Sequence, residues 1–548
     1  MNIQYLMLKF PHLPERIFQK LDNESSFKCR DVARSWQSII DEGNYPWLRI
    51  VNIPTVLKKR NTYIHLAAET GQIEAFKTAF NQEKEKNILN EGGETSFHSA
   101  CSYNRISIAQ LLMKNPDLET DAKDNHGINL NAKTTNGNTA FSWACTEGHS
   151  DLVKIFMENA VAFCIDLNTK DNSGLTPFHR ACGRGQSDVV KILMDNALFL
   201  NIDLNAATTR NVTPFHSACV FGHSDVVKIF MENAPILSID LNAKTTSGIT
   251  PFQRACIKGQ SEVVKIFMEK AAHLSIDLSD KDNDGFTGFH WACEKGHPDV
   301  VKILIENMSA LNIDISTKDY DGLTGFIWAC HKGHVNVIKV FMENADTLSY
   351  DFDAKNDRGI TAFIRACING YSEVVKIFLE NAATLNIDVN TTDNDGLTGF
   401  QWACQRCNSD VVKILMENAS ALSIDLNRKD SNGWTGFHWA NHRGRTDLIL
   451  IFMKNAISLC IDLNTKDHDG LTGFHLACES GRVNVVKIFM ENAANLSINL
   501  NVKDKNGMTA FHHACQSGPK SIVKILKKNA ANLRIDCGNT ASHCACPH

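Results

Sequence analysis

No stretch of this 548-residue chain reaches the ~18 consecutive apolar residues that a membrane-crossing helix needs. The most apolar window, Leu448 to Leu463, is interrupted by Lys454 and Asn455. The opening MNIQYLMLKF has no basic segment ahead of its short apolar stretch, which meets Lys9, so a signal peptide is not expected. An excess of one charge is also missing. The 56 basic side chains face 61 acidic ones for a net charge of −5, which argues against a nucleic-acid-binding face. With 43% hydrophobic, 21% charged and 8% aromatic residues, the chain is neither disordered nor collagen-like. It carries no phosphate loop and no dinucleotide fingerprint. Neither an enzyme nor a cofactor is expected, and the predicted partners are proteins.

Cysteine is abundant, at 18 residues, but its placement excludes a disulfide framework. Twelve occupy one repeat position: 101, 145, 182, 219, 256, 293, 330, 367, 404, 478, 515 and 546. Repeats stacked at one helix diameter would set them ~10 Å apart, whereas a disulfide needs Cα atoms within about 7 Å. Free thiols buried in a helix seam fit better, and they imply a reducing compartment, cytoplasmic or nuclear.

The chain repeats itself. A punctuating glycine recurs at 137, 174, 248, 285, 322, 359, 396, 433, 470 and 507, in steps of 37 residues, with Asn211 filling the one gap. Asparagine tolerates a left-handed backbone best after glycine, so the turn is expected to survive there. Gly93 and a degenerate start at Arg60 extend the series upstream, giving about 13 repeats and a C-terminal stub over residues 60–548. The 44-residue step from Gly93 to Gly137 holds two tips, DAKDNHG and NAKTTNG, and reads as a junction with part of a neighbouring repeat fused in.

Within the unit from Gly285 to Asp321, a first helix is expected near Thr287–Lys295, ending at Gly296. Phe289, Ala292 and Cys293 form its apolar stripe. A second helix follows, capped in most repeats by serine (Ser150, Ser187, Ser224, Ser261), and its apolar set, Val300, Val301, Ile303, Leu304, Met308 and Leu311, makes a wide buried face. NIDIS then alternates as a short extended piece, and KDYDG turns.

Thr213-Pro214-Phe215-His216-Ser217-Ala218 and Thr176-Pro177-Phe178-His179-Arg180-Ala181 resemble the ankyrin repeat, whose signature is T-P-L-H-x-A at a period of about 33. The resemblance implies an all-α solenoid of helix–turn–helix units with hairpin-like tips. The four added residues fall in ENAAxLSIDLN, which has no terminating glycine, so a second helix one turn longer is predicted. Such units are stable only when stacked.

Residues 10–50 differ, and a linker is expected at 51–59. Leu13-Pro14-Glu15, Val32-Ala33-Arg34-Ser35-Trp36 and Pro46-Trp47 resemble an F-box. That resemblance implies docking on a Skp-type adaptor of a cullin–RING ubiquitin ligase through Leu13, Pro14, Ile17, Leu21, Val32 and Trp36. The alternative is a helical cap over the first repeat.

Cys404-Gln405-Arg406-Cys407 and Cys544-Ala545-Cys546-Pro547-His548 lack a second pair at zinc spacing, and no metal is expected. Cys407 stands where other repeats have the inter-helix glycine, so its backbone should be strained. The histidines of the FH pairs (98, 179, 216, 290, 438, 475, 512) should bond a neighbouring loop rather than act on a nucleophile. Two residues after each repeat phenylalanine the residue varies: Trp143, Arg180, Ser217, Arg254, Trp291, Trp328, Arg365, Trp402, Trp439, Leu476 and His513. This row lies away from the apolar stripe. Its tryptophans and arginines are candidates for target binding in a concave groove; the alternative is padding between first helices. The F-box and ankyrin resemblances together imply the substrate-recognition subunit of a ubiquitin ligase, monomeric outside the complex. A scaffold or tether, or a microbial effector with the same domain pair, is the competing reading.

Overall fold

The computed structural model describes residues 63–82, 88–114, 128–348 and 350–535. The expected F-box and linker, with Leu13, Pro14, Ile17, Leu21, Val32 and Trp36, lie outside the described residues. So do the DAKDNHG tip and the C-terminal stub. Among the described residues there are thirteen helix pairs and no strand, only the isolated bridges Lys318–Thr324 and Thr392–Thr398. These residues fall into two compact units. One runs up to Ala218 and includes Lys228–Asp240; the other holds Cys219–Val227 and everything from Leu241 on.

From Ser96–Ser102 onwards, the first helix of each pair starts on threonine. Thr176 accepts from the amide of His179 while the His179 ring accepts from the amide of Thr176, and Pro177 opens the helix with a pre-set φ. In the second unit the same box joins Thr287 and His290 ahead of Gly288–Lys295, and Gly296 closes that helix at φ 75°. Close approach explains why proline gives way to glycine there. A Cβ on Gly288 would sit 2.5 Å from the Phe252 ring of the preceding repeat.

Phenylalanines hold the stack. In the first unit Phe156, on a second helix, lies 5.1 Å from Phe141 of its own repeat and 5.7 Å from Phe97 of the one before. In the second unit Phe326 sits 4.7 Å from Phe341 and 5.9 Å from Phe378. The cysteine ladder fills the space beside them: Cys145, Cys293 and Cys330 are free and fully buried. Burial pushes their thiols well up, so they act as small apolar groups and not as nucleophiles.

Two local expectations need correction. Ser150, Ser187 and Ser261 are the first helical residues rather than caps; the cap positions are His149, Gln186 and Gln260, which make no side-chain capping bond. Those cap side chains reach back instead to the preceding repeat: His149 bonds the Ser102 carbonyl at 2.9 Å and Gln260 donates to that of Val220. NIDIS is not extended, because the Asp314 carboxylate accepts from the amide of Ser316 and folds it into a turn. Across the 44-residue step the Thr135 amide donates to the Gly92 carbonyl at 3.0 Å, and the segment expected to hold the fused part, 115–127, lies outside the described residues.

The second helix does gain a turn, running 14 residues in Ser261–Leu274 and Pro298–Leu311. Ser224–Leu237 and Lys520–Leu533 are equally long, whereas Ser187–Asp195 breaks at Asn196 before Ala197–Leu200, and Ser150–Asn159 ends after 10 residues. A local stop exists after all. It is a left-handed residue other than glycine: Cys164, Asn201, Ser238, Ser275, Asn312, Asn386, Ser423, Cys460, Ser497 and Arg534, all with φ between 46° and 53°. Most are clamped by the preceding repeat. Asn168 Nδ2 donates to the Asn201 carbonyl at 2.9 Å, and Asn168 Oδ1 accepts from the amide of Asp203 at 2.9 Å. Two bonds per clamp offset a strain of about 1–2 kcal/mol at a non-glycine left-handed residue.

A row of indoles anchored on carboxylates

Every member of the row is set by its first helix, two residues beyond the buried phenylalanine and on the helix's other side. Trp143 and Arg180 belong to the first unit; Arg254, Trp291, Trp328, Arg365, Trp402 and Trp439 belong to the second. All eight are half-buried, so neither a fully exposed groove surface nor a fully buried core describes them.

The second unit shows what positions them. Trp291, Trp328, Trp402 and Trp439 each donate Nε1–H to a carboxylate nine residues earlier, at the tip of the same repeat. The acceptors are Asp282 at 2.8 Å, Asp319 at 2.7 Å, Asp393 at 2.7 Å and Asp430 at 3.0 Å. The other oxygen of each aspartate accepts two tip amides, such as those of Asp284 and Phe286 for Asp282. One buried carboxylate thus closes the turn and fixes the indole. His513 uses Asp504 in the same way, at 2.9 Å, and in the first unit Arg180 pairs with Asp171.

Where the tip residue is not aspartate the anchor is lost. Thr134 stands nine residues before Trp143, whose buried Nε1 has no partner, and Asn356 before Arg365, whose Nε is likewise unpartnered. Burial holds the Arg254 and Arg365 guanidinium groups below their ordinary range. Leu476 has no donor to offer Asp467, and Trp434 of the preceding repeat supplies one at 3.0 Å. Sequence reasoning missed this pairing, although a nine-residue Asp–Trp spacing repeated four times in the second unit is its signal.

The indole faces are partly occupied. Lys295 lies 5.3 Å over Trp291, Lys332 5.7 Å over Trp328 and Arg406 5.5 Å over Trp402, one turn along each helix. Phe286 packs between Trp291 and Trp328, at 4.8 and 5.3 Å. Trp439 meets Trp434 edge to face at 4.6 Å, and an open cleft of about 290 Å³ beside them is lined by Asn432, Trp434, Trp439, His468 and Asp469. The intermediate burial of these indoles is compatible with packing between first helices and with an accessible binding surface alike. Of the neighbouring apolar residues, Phe221 is exposed, while Val220, Ile257 and Ile368 are half-buried.

His98, His179, His290 and His438 bond the following loop, whereas the buried Nε2 of His475 has no hydrogen-bond partner. His179 reaches the Val212 carbonyl at 3.0 Å and His290 that of Leu323 at 3.2 Å. Burial lowers His179 to about 4, which keeps it neutral. Cys407 adopts φ 65°, the left-handed backbone expected of it, and Asn211 adopts φ 56°. No cluster of three or more metal-binding side chains occurs among the described residues, and none of their helices is long and apolar enough to cross a membrane.

A family model described as "Ankyrin repeats (3 copies)" matches in overlapping windows from residue 44 to residue 548. The comparison with curated proteins finds no match. Among solved structures, the ankyrin repeat domain of human ASB11 aligns over 45% of this chain and 98% of its own, at 22% identity and a TM-score of 0.37.

Proposed function

The chain belongs to the ankyrin-repeat family, whose members bind proteins, and from that premise we propose that its tryptophan–arginine row holds a protein target for a cullin–RING ubiquitin ligase. Residues 10–50 act as an F-box on a Skp-type adaptor in this reading, and the contribution to the reaction is proximity alone. The observation that carries it is the set of four half-exposed indoles at one repeat position, each held by a carboxylate. Pre-set tryptophans and arginines are the composition of interface hot spots, and holding them in place lowers the ordering cost of binding. The adaptor half rests on the F-box motifs of the sequence. Free buried thiols suit the cytoplasm or nucleus.

A non-enzymatic scaffold is the second reading. It is favoured by the start of the family match at residue 44, inside the expected F-box.

Capture of a purified Skp-type adaptor by the full chain separates the two. Leu13→Ala with Pro14→Ala should abolish it and leave melting unchanged; retained capture, or a lost melting transition, sinks the F-box. Trp328→Ala with Trp402→Ala should weaken target capture at least about tenfold with a small shift in melting. Preserved capture with a large stability loss would make the row packing only.

A further inference from the structure

The ends of the second helices of the first unit, and the turns and short helix that follow them, carry a different surface. Just before the left-handed stops at Cys164, Asn201 and Ser238, in three successive repeats, stand Val161, Leu198, Phe199 and Ile236. They are 72%, 79%, 84% and 75% exposed. Soluble proteins seldom leave a contiguous row of large apolar side chains in water unless something covers it. At the position of Val161 and Leu198 the second unit has Ala272, Ser309, Asp346, Ala383, Ser420 and Ala494, with Ile457 as the apolar exception, and at that of Phe199 and Ile236 it has His273, Ala310, Thr347, Thr384, Ala421, Ser458 and Asn495. The stripe is therefore a property of the first unit and not of the repeat.

Its alignment is fixed. The clamps from Asn131 to Cys164, Asn168 to Asn201 and Asn205 to Ser238, at 2.9, 2.9 and 3.0 Å, tie the end of each added turn to the repeat before. Acidic residues edge the stripe. Glu158, Asp195 and Glu232 lie about one turn ahead of it and are exposed, and exposed Asp166 and Asp203 follow the stops on the other side. The exposed lysines of these helices, Lys154, Lys191 and Lys228, sit one turn beyond Glu158, Asp195 and Glu232, away from the apolar side chains.

We propose that this stripe is a second docking surface, taking an amphipathic helix of a partner protein whose apolar face is flanked by lysine and arginine. Three repeats at one helix diameter each span ~20 Å between the outermost members, the length of about 14 helical residues. Charge selects the occupant: a basic helix meets acids on both edges, whereas a second copy of the same face would set acid against acid. The surface is separate from the indole row, which lies on first helices.

The probe is a synthetic 18-residue helix with leucines along one face and lysine and arginine beside them, titrated with the full chain by fluorescence anisotropy. Binding that weakens with salt, and at least about tenfold with Leu198→Ser plus Phe199→Ser at unchanged melting, supports the proposal. Ile236→Gln serves as an independent variant with the same expected direction. No binding to the wild-type chain overturns it, as does equal binding by the double variant. Equal binding of the peptide with glutamate in place of its basic residues overturns it too, and so does a concentration-dependent dimer that the double variant abolishes.

Discussion

The two units use one repeat to different ends. The first exposes Leu198, Phe199 and Ile236 on its second helices, where nothing in the repeat requires them. The second sets Trp291, Trp328, Trp402 and Trp439 on its first helices, each tied to a tip aspartate. Even the shared position differs, since Thr134 stands nine residues before Trp143 in the first unit, and the Trp143 indole nitrogen is buried without a partner. A repeat fold keeps its core constant and varies whatever the stack does not bury, so recognition evolves at positions that cost little stability.

The sharpest way to break this contrast compares two phenylalanines. Phe326→Ala should cost about 3–5 kcal/mol, because the ring is fully buried among Phe341, Phe352 and Phe378. Phe199→Ala should stay within about 0.5 kcal/mol, measured by denaturant unfolding on the same chain. A large loss at Phe199 would mean that the stripe is covered within the molecule.

A second difference lies in the capping residue. It runs between repeats and not between units: His179 in the first unit and His290 in the second cap their own helices, while Gln253 makes the equivalent bonds in its repeat, to the Thr250 amide and the Phe286 carbonyl. Since folding lowers His179 to about 4 from 6.5, the unfolded chain takes up the proton first as pH falls. Its contribution is therefore intact above about pH 6.5 and declines between there and pH 4, by on the order of 2–3 kcal/mol. His179→Gln should leave stability at pH 7 nearly unchanged and flatten that decline in unfolding experiments from pH 7 to 4. An unchanged acid slope would assign the loss to other groups.

The smallest effect sharpens the anchor itself. Thr134→Asp gives Trp143 the carboxylate that its counterparts have, and should raise stability by about 0.5–1.5 kcal/mol in thermal unfolding. No gain would show that the anchor orients the indole without stabilising the fold.

Repeat spacing, helix pairs, the cysteine ladder and the left-handed backbone at Asn211 and Cys407 were legible because each depends on residues near one another in sequence. The ends of the second helices were not. Ser275 or Asn201 carries no sign of a left-handed stop, since what makes it tolerable is an asparagine about 33 residues earlier. The serine at the start of that helix misled for a related reason: the side chain before it is drawn to the neighbouring repeat, leaving the local cap unmade. The row was found by its variation, yet its half-buried state depends on tip aspartates and on Phe286, which helical periodicity does not connect to it. Residues 10–50 remain a reading of sequence motifs.

The asparagine clamp gives the stack a direction. Asn168 finishes the helix of the repeat after it, and Asn205, Asn390, Asn427 and Asn464 do the same in turn. A repeat thus inherits its last turn from its predecessor and hands one on to its successor. Removing repeats from the C-terminal side leaves each surviving clamp engaged, whereas removing them from the N-terminal side strands a left-handed residue without its partner. By the same logic, a duplicated unit added at the C-terminal edge meets a clamp already in place, so an array of this kind can lengthen one way more readily than the other.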